Sequence, residues 1–311
     1  MNDRRKRFQE RLNAFPKAVH EVLDTIPVQG GMLSAPQCFR LTQSLGIDLE
    51  ELMCMLLPLA RIFAVAPISR FRVGAVAKTG LKDTADRFDL YLGANIEFLQ
   101  HPLNQTIHAE QSVTMNAWHQ GAQQLYALAV SEPPCGHCRQ FLNEFEINPQ
   151  MPIILPSAES HSVQKTPLAD LLPGAMRPSD LGNKAALMGA KEPYRKLSLK
   201  SPVKDRMIAE ALLAAERSYA PYSKNYAGCA IQTGTGKIFT GRCVESAAYN
   251  PSLTPLHCAI ACLNMALLEE KFSLHRAILV EKSAAISQRK TVEMLLGTLA
   301  PEIELEYYQA A

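Results

Sequence analysis

Apolar residues recur at helical spacing at the start of the chain. Phe8, Leu12, Phe15 and Val19 form one such series, and Leu41, Leu45 and Leu49 form another. The Pro27–Pro36 stretch, with Gly30-Gly31, breaks the two apart. Residues 1–50 therefore read as a small helical segment. From about residue 51 the period switches back and forth. The pattern predicts a helix over 50–63, strands over 71–77 and 91–96, a helix over 106–119, a strand over 125–130, a helix from Gly136 and a strand over 152–155. Strands alternating with helices predict a layered α/β domain over 51–156. Residues 157–203, rich in Pro, Ser, Lys and Ala, read as a long surface connection.

The pattern then starts again over 204–311. Ala66-Pro67-Ile68-Ser69 is echoed by Ala220-Pro221-Tyr222-Ser223, and Gly93-Ala94-Asn95-Ile96-Glu97 by Gly241-Arg242-Cys243-Val244-Glu245. His108 is echoed by His257 and Val130 by Val280. A duplicated core explains these nearly constant offsets better than shared turn chemistry does.

Composition narrows the class. The 311 residues, 47% hydrophobic, suffice for more than one core. A net charge of +2 and 7% aromatic residues argue against a nucleic-acid groove or a membrane-surface patch. The basic start lacks a continuous apolar run of signal-peptide type, and the most apolar stretch, Leu52–Ala60, is too short to span a bilayer. The expectation is a cytoplasmic protein. Eight cysteines in so long a chain do not suggest a disulfide framework.

Two of those cysteines stand apart. Pro133-Pro134-Cys135-Gly136-His137-Cys138 follows Thr106-Ile107-His108-Ala109-Glu110. Zinc takes four tetrahedral N or S ligands. His108, Cys135 and Cys138 give three and leave one position for water, the mark of a catalytic site. A helix starting at the cysteines favours thiolates through its unpaired N–H groups and dipole, and Arg139 is expected to add to that. Glu110, too close to His108 to be a convenient ligand, is placed to move protons. The alternatives are half of a structural zinc site or a redox pair. No second Cys-x-x-Cys completes the former, and the latter has no need of His108 and Glu110. His137 reads as an outer or surface residue, since three ligands already exist. His-x-Glu followed by Pro-Cys-x-x-Cys resembles the zinc site of nucleobase deaminases.

The likeness extends over nearly the whole chain. Ser69-Arg70-Phe71-Arg72-Val73-Gly74-Ala75, Gly93-Ala94-Asn95-Ile96-Glu97-Phe98, His108-Ala109-Glu110-Gln111-Ser112 and Pro134-Cys135-Gly136-His137-Cys138-Arg139-Gln140 together resemble cytidine deaminases of the long, homodimeric type. The resemblance implies duplicated three-layer α/β/α cores with mixed sheets behind a small helical segment. It implies one zinc ion per chain and hydrolysis of free cytidine and deoxycytidine to uridine or deoxyuridine and ammonia. Phe71 is then expected against the pyrimidine, Asn95 and Glu97 on the ribose hydroxyls, and Ala109 on the substrate. A site built on sugar hydroxyls rejects a bare base, because its polar groups would be left unpaired.

The second half departs from that pattern. Ala259 stands two residues after His257, and an offset of 150 brings Ala285 and Gln288 to the cysteine positions, with Cys243 in place of Asn95. Cys258 and Cys262 beside His257 read as small buried residues. The resemblance implies a homodimer in which a partner's second core completes each active site. The segment Ser246-Ala247-Ala248-Tyr249-Asn250-Pro251 would supply Tyr249 as the aromatic lid. Three other readings remain open: cytosine in single-stranded nucleic acid, another heterocycle on the same scaffold, and a non-catalytic zinc-stabilised binding module.

Overall fold

The structure is a computed structural model that describes residues 3–80, 87–145, 150–157, 163–184, 186–188, 195–201, 204–268 and 273–311. Helices α1 (Asp3–Leu12) and α2 (Lys17–Leu23) bury Phe8, Leu12 and Val19 of the series read from the sequence, with Phe15 buried between the two helices and Leu23 added to the same core. α3 (Ala35–Leu45) stops at Gly46, whose φ of 67° is the left-handed turn that ends a helix. Asp48 then starts α4 (Leu49–Ala60) by accepting from the amides of Glu50 and Glu51 at 2.9 and 2.8 Å. A short 3₁₀ turn, Arg61–Phe63, follows α4.

The first sheet holds β1 (Met32–Leu33), β2 (Gly74–Gly80), β3 (Asp89–Ala94), β4 (Gln124–Val130), β5 (Pro152–Pro156) and β6 (Val163–Pro167). Their order is β1-β3-β2-β4-β5-β6, and only β4 and β5 run parallel. The N-terminal helices and α4 cover one face. The other face carries α5 (Ala109–His119) and α6 (Gly136–Leu142). The segment expected to be pure connection thus supplies an edge strand, β6, and a one-turn helix, α7 (Leu168–Leu171), while its residues 158–162, 185, 189–194 and 202–203 lie outside the described ones.

The second sheet holds β7 (Ala227–Thr233), β8 (Ile238–Arg242), β9 (Leu274–Lys282) and β10 (Leu305–Ala310), in the order β10-β9-β7-β8 with β9 and β10 parallel. α8 (Arg206–Glu216) covers one face, and α9 (Pro255–Ala266) and α10 (Arg289–Leu299) the other. The strands repeat the first core's β3-β2-β4-β5 order in reverse direction of listing, so the duplication and the mixed α/β/α layering are both present.

The repeat can be registered on glycines that admit a helix backbone. A Cβ on Gly93 would lie 2.2 Å from Val113 N, and one on Gly241 would lie 2.4 Å from Ala259 N. Each contact is the fifth residue of its helix, α5 or α9. The antiparallel bridges agree, since Ile96 pairs with Ile107 and Val244 with Leu253. The counterpart of His108 is therefore Thr254, each capping its helix. The counterpart of Glu110 is Leu256, and His257 stands where Gln111 does. The sequence echo of His108 in His257 was out of register by three residues, because α9 starts earlier relative to its strand. Sheet register makes a smaller correction. Leu279 lies opposite Cys229 as Val130 lies opposite Ala75, which moves the cysteine counterparts from Ala285 and Gln288 to Ala284 and Ser287.

The two cores share an interior. Tyr219, Val244, Leu253 and Cys258 of the second half pack with Ala109, Val113 and Trp118 of the first. Ile96, Phe98 and Ile107 of the first pack into the second. Every residue of α5 from Ala109 to Trp118 is buried. Arg4, buried in α1, donates to Leu267 O at 3.1 Å, and Asn264 Nδ2 donates to Phe63 O at 2.8 Å. Among the described residues no helix is long and apolar enough to cross a membrane.

Candidate metal centre and its cleft

His108 and Cys135 occupy matching places. Each is the extended residue immediately before a helix, His108 ahead of α5 and Cys135 ahead of α6. Cys138 lies in the first turn of α6 and is buried. Cys135 Sγ is 3.6 Å from His108 Nδ1 and 3.5 Å from Cys138 Sγ. With zinc–sulfur bonds of about 2.3 Å and zinc–nitrogen bonds of about 2.0 Å, tetrahedral edges come to roughly 3.5–3.8 Å. The donor set fits zinc on spacing as well as on softness. His137 joins the group, since one ligand atom from each of the four residues lies within 4.8 Å of all the others. Its Nε2 is 3.3 Å from Asn250 O, so it faces the second core at the same time.

Hydrogen bonds from Cys138 and His108 pull the Cys135 thiol down to about 3. The same contact with Cys135, followed by burial, pushes the Cys138 thiol up, and His108 is raised mainly by its bond to Cys135. The cluster thus favours negative charge on the Cys135 sulfur, as a metal ligand requires. Arg139 has a different task from the one expected. Its guanidinium donates to the carbonyls of Pro134 and Leu171, both at 2.8 Å, and so fixes the loop that presents Cys135.

Glu110 is buried at the second position of α5, with its carboxyl group in hydrogen-bonding reach of Cys138. Burial raises its pKa, which suits a group that must hold a proton and release it. Ala109, next to it, is buried at the first helical position. Phe71 presents a ring that is 55% exposed. Asn95 ties down the backbone of that segment, accepting from Val73 N at 2.8 Å and donating to Phe71 O at 2.9 Å. Glu97 accepts from Ile68 N at 2.8 Å, from Ser69 N at 3.0 Å and from the Ser69 hydroxyl. These bonds explain why β2 begins at Gly74 and not at Phe71. Residues 66–73 are tied to Asn95 and Glu97 in a turn, with Arg70 at φ 58°.

Tyr249 does not face the cluster in its own chain. Its ring lies 6.3 Å from that of Tyr222, on a cavity of the second core. Its neighbours do reach the cluster, through Asn250 against His137 and through Pro251 O, which accepts from Gln111 Nε2 at 3.0 Å. The segment expected from a partner is therefore already beside the cluster within one chain. Two residues in this arrangement escaped the sequence reading. Gln111 also accepts from His108 N at 3.1 Å, a capping-box contact that its place three residues after His108 could have suggested. Glu144 is fully buried and accepts from Ala247 N, Tyr219 Oη and Tyr222 Oη, and no sequence signal marked it. Cys258 is buried and Cys262 partly so, and burial pushes Cys262 up to about 12. Among the described residues neither belongs to a metal-ligating group.

Comparison with known proteins gives a consistent result. Residues 47–151 and, separately, 168–293 match the family described as the cytidine and deoxycytidylate deaminase zinc-binding region. A cytidine deaminase of Sodalis glossinidius is 40% identical over 306 residues, covering 94% of this chain and 95% of that one. Those of Aliivibrio fischeri and Vibrio vulnificus are 38% and 36% identical, each covering 97% of this chain and, respectively, 97% and 99% of the relative. A solved cytidine deaminase from Burkholderia pseudomallei aligns at 28% identity with a TM-score of 0.34, covering 40% of this chain and 97% of that chain. With one core that keeps a zinc-type ligand set, a second that has lost it, and relatives matched from end to end, the chain belongs to the cytidine deaminase family in its long, two-core form.

Proposed function

We infer that the chain hydrolyses the amino group of free cytidine and deoxycytidine, giving uridine or deoxyuridine and ammonia, with zinc as its cofactor. The observation that carries this reading is the clustering of His108, Cys135 and Cys138, with Cys135 at tetrahedral edge lengths from the other two, beside the buried carboxyl of Glu110. Residues 51–156 are the catalytic core in this proposal, and 204–311 a non-catalytic copy. His108, Cys135 and Cys138 hold the metal. When bound, zinc supplies the Lewis acidity that makes water a nucleophile near neutral pH.

The chain's own groups do the rest. Glu110 takes a proton, gives it to N3 of the pyrimidine, and later passes a proton to the departing amino group. Its burial beside Cys138 supports both roles, because a carboxyl with a raised pKa is a stronger base and more readily holds, at neutral pH, the proton it must later deliver. Phe71 packs against the base. Asn95 keeps one N–H and one lone pair beyond its two backbone bonds, and Glu97 keeps a lone pair beyond its three, so both remain able to meet ribose hydroxyls. Ala109 offers an amide at the first turn of α5, where N–H groups have no partner within the helix.

A homodimer belongs to the same proposal. Ile68, Phe71, Leu99, Leu103 and Tyr249 are exposed apolar groups on the segments around the cleft, and a second copy would cover them and bring its own Tyr249 to the mouth. Eight free cysteines, two of them needed as thiolates, support a reducing cytoplasm.

Cytidine turnover measured by ultraviolet absorbance, with zinc quantified, tests the reading. Wild type should turn over with about one zinc per chain. Glu110→Ala should keep zinc and lose activity by a factor of about 1,000 or more. Cys135→Ala should lose both metal and turnover. A zinc-loaded wild type that leaves cytidine untouched would defeat the substrate assignment.

A further inference from the structure

The second core has lost its chemistry but not its cleft. A cavity of about 450 Å³ opens between the end of β8, the segment 246–254 and the loop before α10. That volume falls within the range of small-molecule sites, roughly 300–1,000 Å³. It occupies in this core the place that the metal cluster and Glu110 border in the first. We propose that it is a second nucleoside site, one that binds a pyrimidine nucleoside and does not convert it.

The same frame surrounds both clefts. Glu245 accepts from Tyr222 N at 2.8 Å, from Ser223 N at 3.0 Å and from the Ser223 hydroxyl, as Glu97 does from Ile68 and Ser69. Its carboxylate faces the cavity with a lone pair left for a sugar hydroxyl, a role that rests on the one proposed for Glu97. Tyr222 and Tyr249 stand with ring centroids 6.3 Å apart and planes at 51°, and Ile286 and Leu253 add apolar walls. Such walls suit the faces of a planar base, while Thr254 and Gln288 offer polar groups to its edges. The lining includes a carboxylate and neither lysine nor arginine, so an uncharged nucleoside fits where the phosphate of a nucleotide would be repelled.

Conversion is ruled out by the residues that replaced the reactive ones. Thr254 stands for His108 and Leu256 for Glu110, and the loop at 284–287 contains no sulfur. Occupancy would touch Tyr222, whose hydroxyl donates to Glu144 at 3.0 Å, just beyond the helix that carries Cys138.

The count of bound uridine decides the matter. Equilibrium dialysis of the zinc-loaded protein should reach two equivalents of uridine per chain at saturation. Ile286→Trp, which places an indole in the cavity from its exposed rim, should bring the count to one with cytidine turnover unchanged. Ala285→Trp, from the same loop, gives an independent variant should the first fold poorly. One equivalent in wild type and variant alike, with normal turnover, overturns the second site and leaves the deaminase reading standing. Absence of both turnover and uridine binding would overturn the two together.

Discussion

His257 offers a direct test of how the second core was rebuilt. It is 4% exposed, and its Nδ1 lies 2.8 Å from the Thr254 hydroxyl at the start of α9. Burial is the main force holding its imidazole down at about 4, with the nearby His101 adding to it. The unfolded chain carries an ordinary imidazole near pH 6.5. Above that pH neither state is protonated and the residue contributes nothing to pH dependence. As the pH falls below 6.5 the unfolded chain takes up a proton that the folded chain refuses, so stability is lost until about pH 4. Between pH 8 and pH 5 the linkage amounts to about 2 kcal/mol. His257→Gln removes that ionisation and installs the residue type that caps α5 at the same helical position, where Gln111 accepts from His108 N. Urea unfolding of both proteins at pH 8 and pH 5 gives two losses of stability, and the variant's should be smaller by about 2 kcal/mol. Comparing losses cancels any fixed effect of the substitution. Equal losses would mean that His257 accepts a proton in the folded state, and the assignment of a neutral, buried capping histidine would fall.

Two further substitutions follow from the packing. Gly93→Ala drives a Cβ to within 2.2 Å of Val113 N, a backbone atom that has no room to retreat, so a loss of about 3 kcal/mol or more, or failure to fold, is expected by thermal denaturation. Gly121→Ala at a place with nothing within 4 Å is the steric control, strained only by its φ of 95°. Glu144→Gln turns an amide N–H₂ toward either the Ala247 amide or the two tyrosine hydroxyls, so at least one of the three donors loses its acceptor. It should destabilise the protein by about 1–3 kcal/mol and raise KM for cytidine more than it lowers kcat, because it frees the segment that reaches His137 and Gln111.

Local chemistry was legible where a residue type has few uses. A Pro-Cys-x-x-Cys beside a His-x-Glu admits little besides a metal, and the structure brings His108, Cys135 and Cys138 together. Helix and strand types in the first core were legible for the same reason, since period and turn residues agree there. Starting points were less so. The helix expected from residue 106 begins at Ala109, because His108 is spent as the capping residue, and β2 starts at Gly74, because Asn95 holds the preceding residues in a turn. β6 was hidden inside a Pro-rich, half-exposed edge whose pattern carries no strand period. The register of the second core misled most. A histidine in a similar sequence frame drew the eye to His257, whereas helix starts and glycine contacts select Thr254. Glu144 was invisible because its donors come from residues 219, 222 and 247, brought together only by folding.

The face-to-face burial of α5 and α9 has a consequence for how such a chain can change. Neither helix has a side prepared for water, so a fragment ending near residue 156 would bare the Trp118 ring, which the Arg242 guanidinium of the second half covers at 4.6 Å. The duplicate is thus a wall of the first core's interior rather than an appendage, and deleting it removes half of that wall. Drift in the second core is correspondingly uneven. Its cleft was free to lose every ligand, while Gly241 has no such latitude, since a side chain there would run into the backbone of α9 at Pro255 O and Ala259 N, the helix that forms the far side of the shared interior.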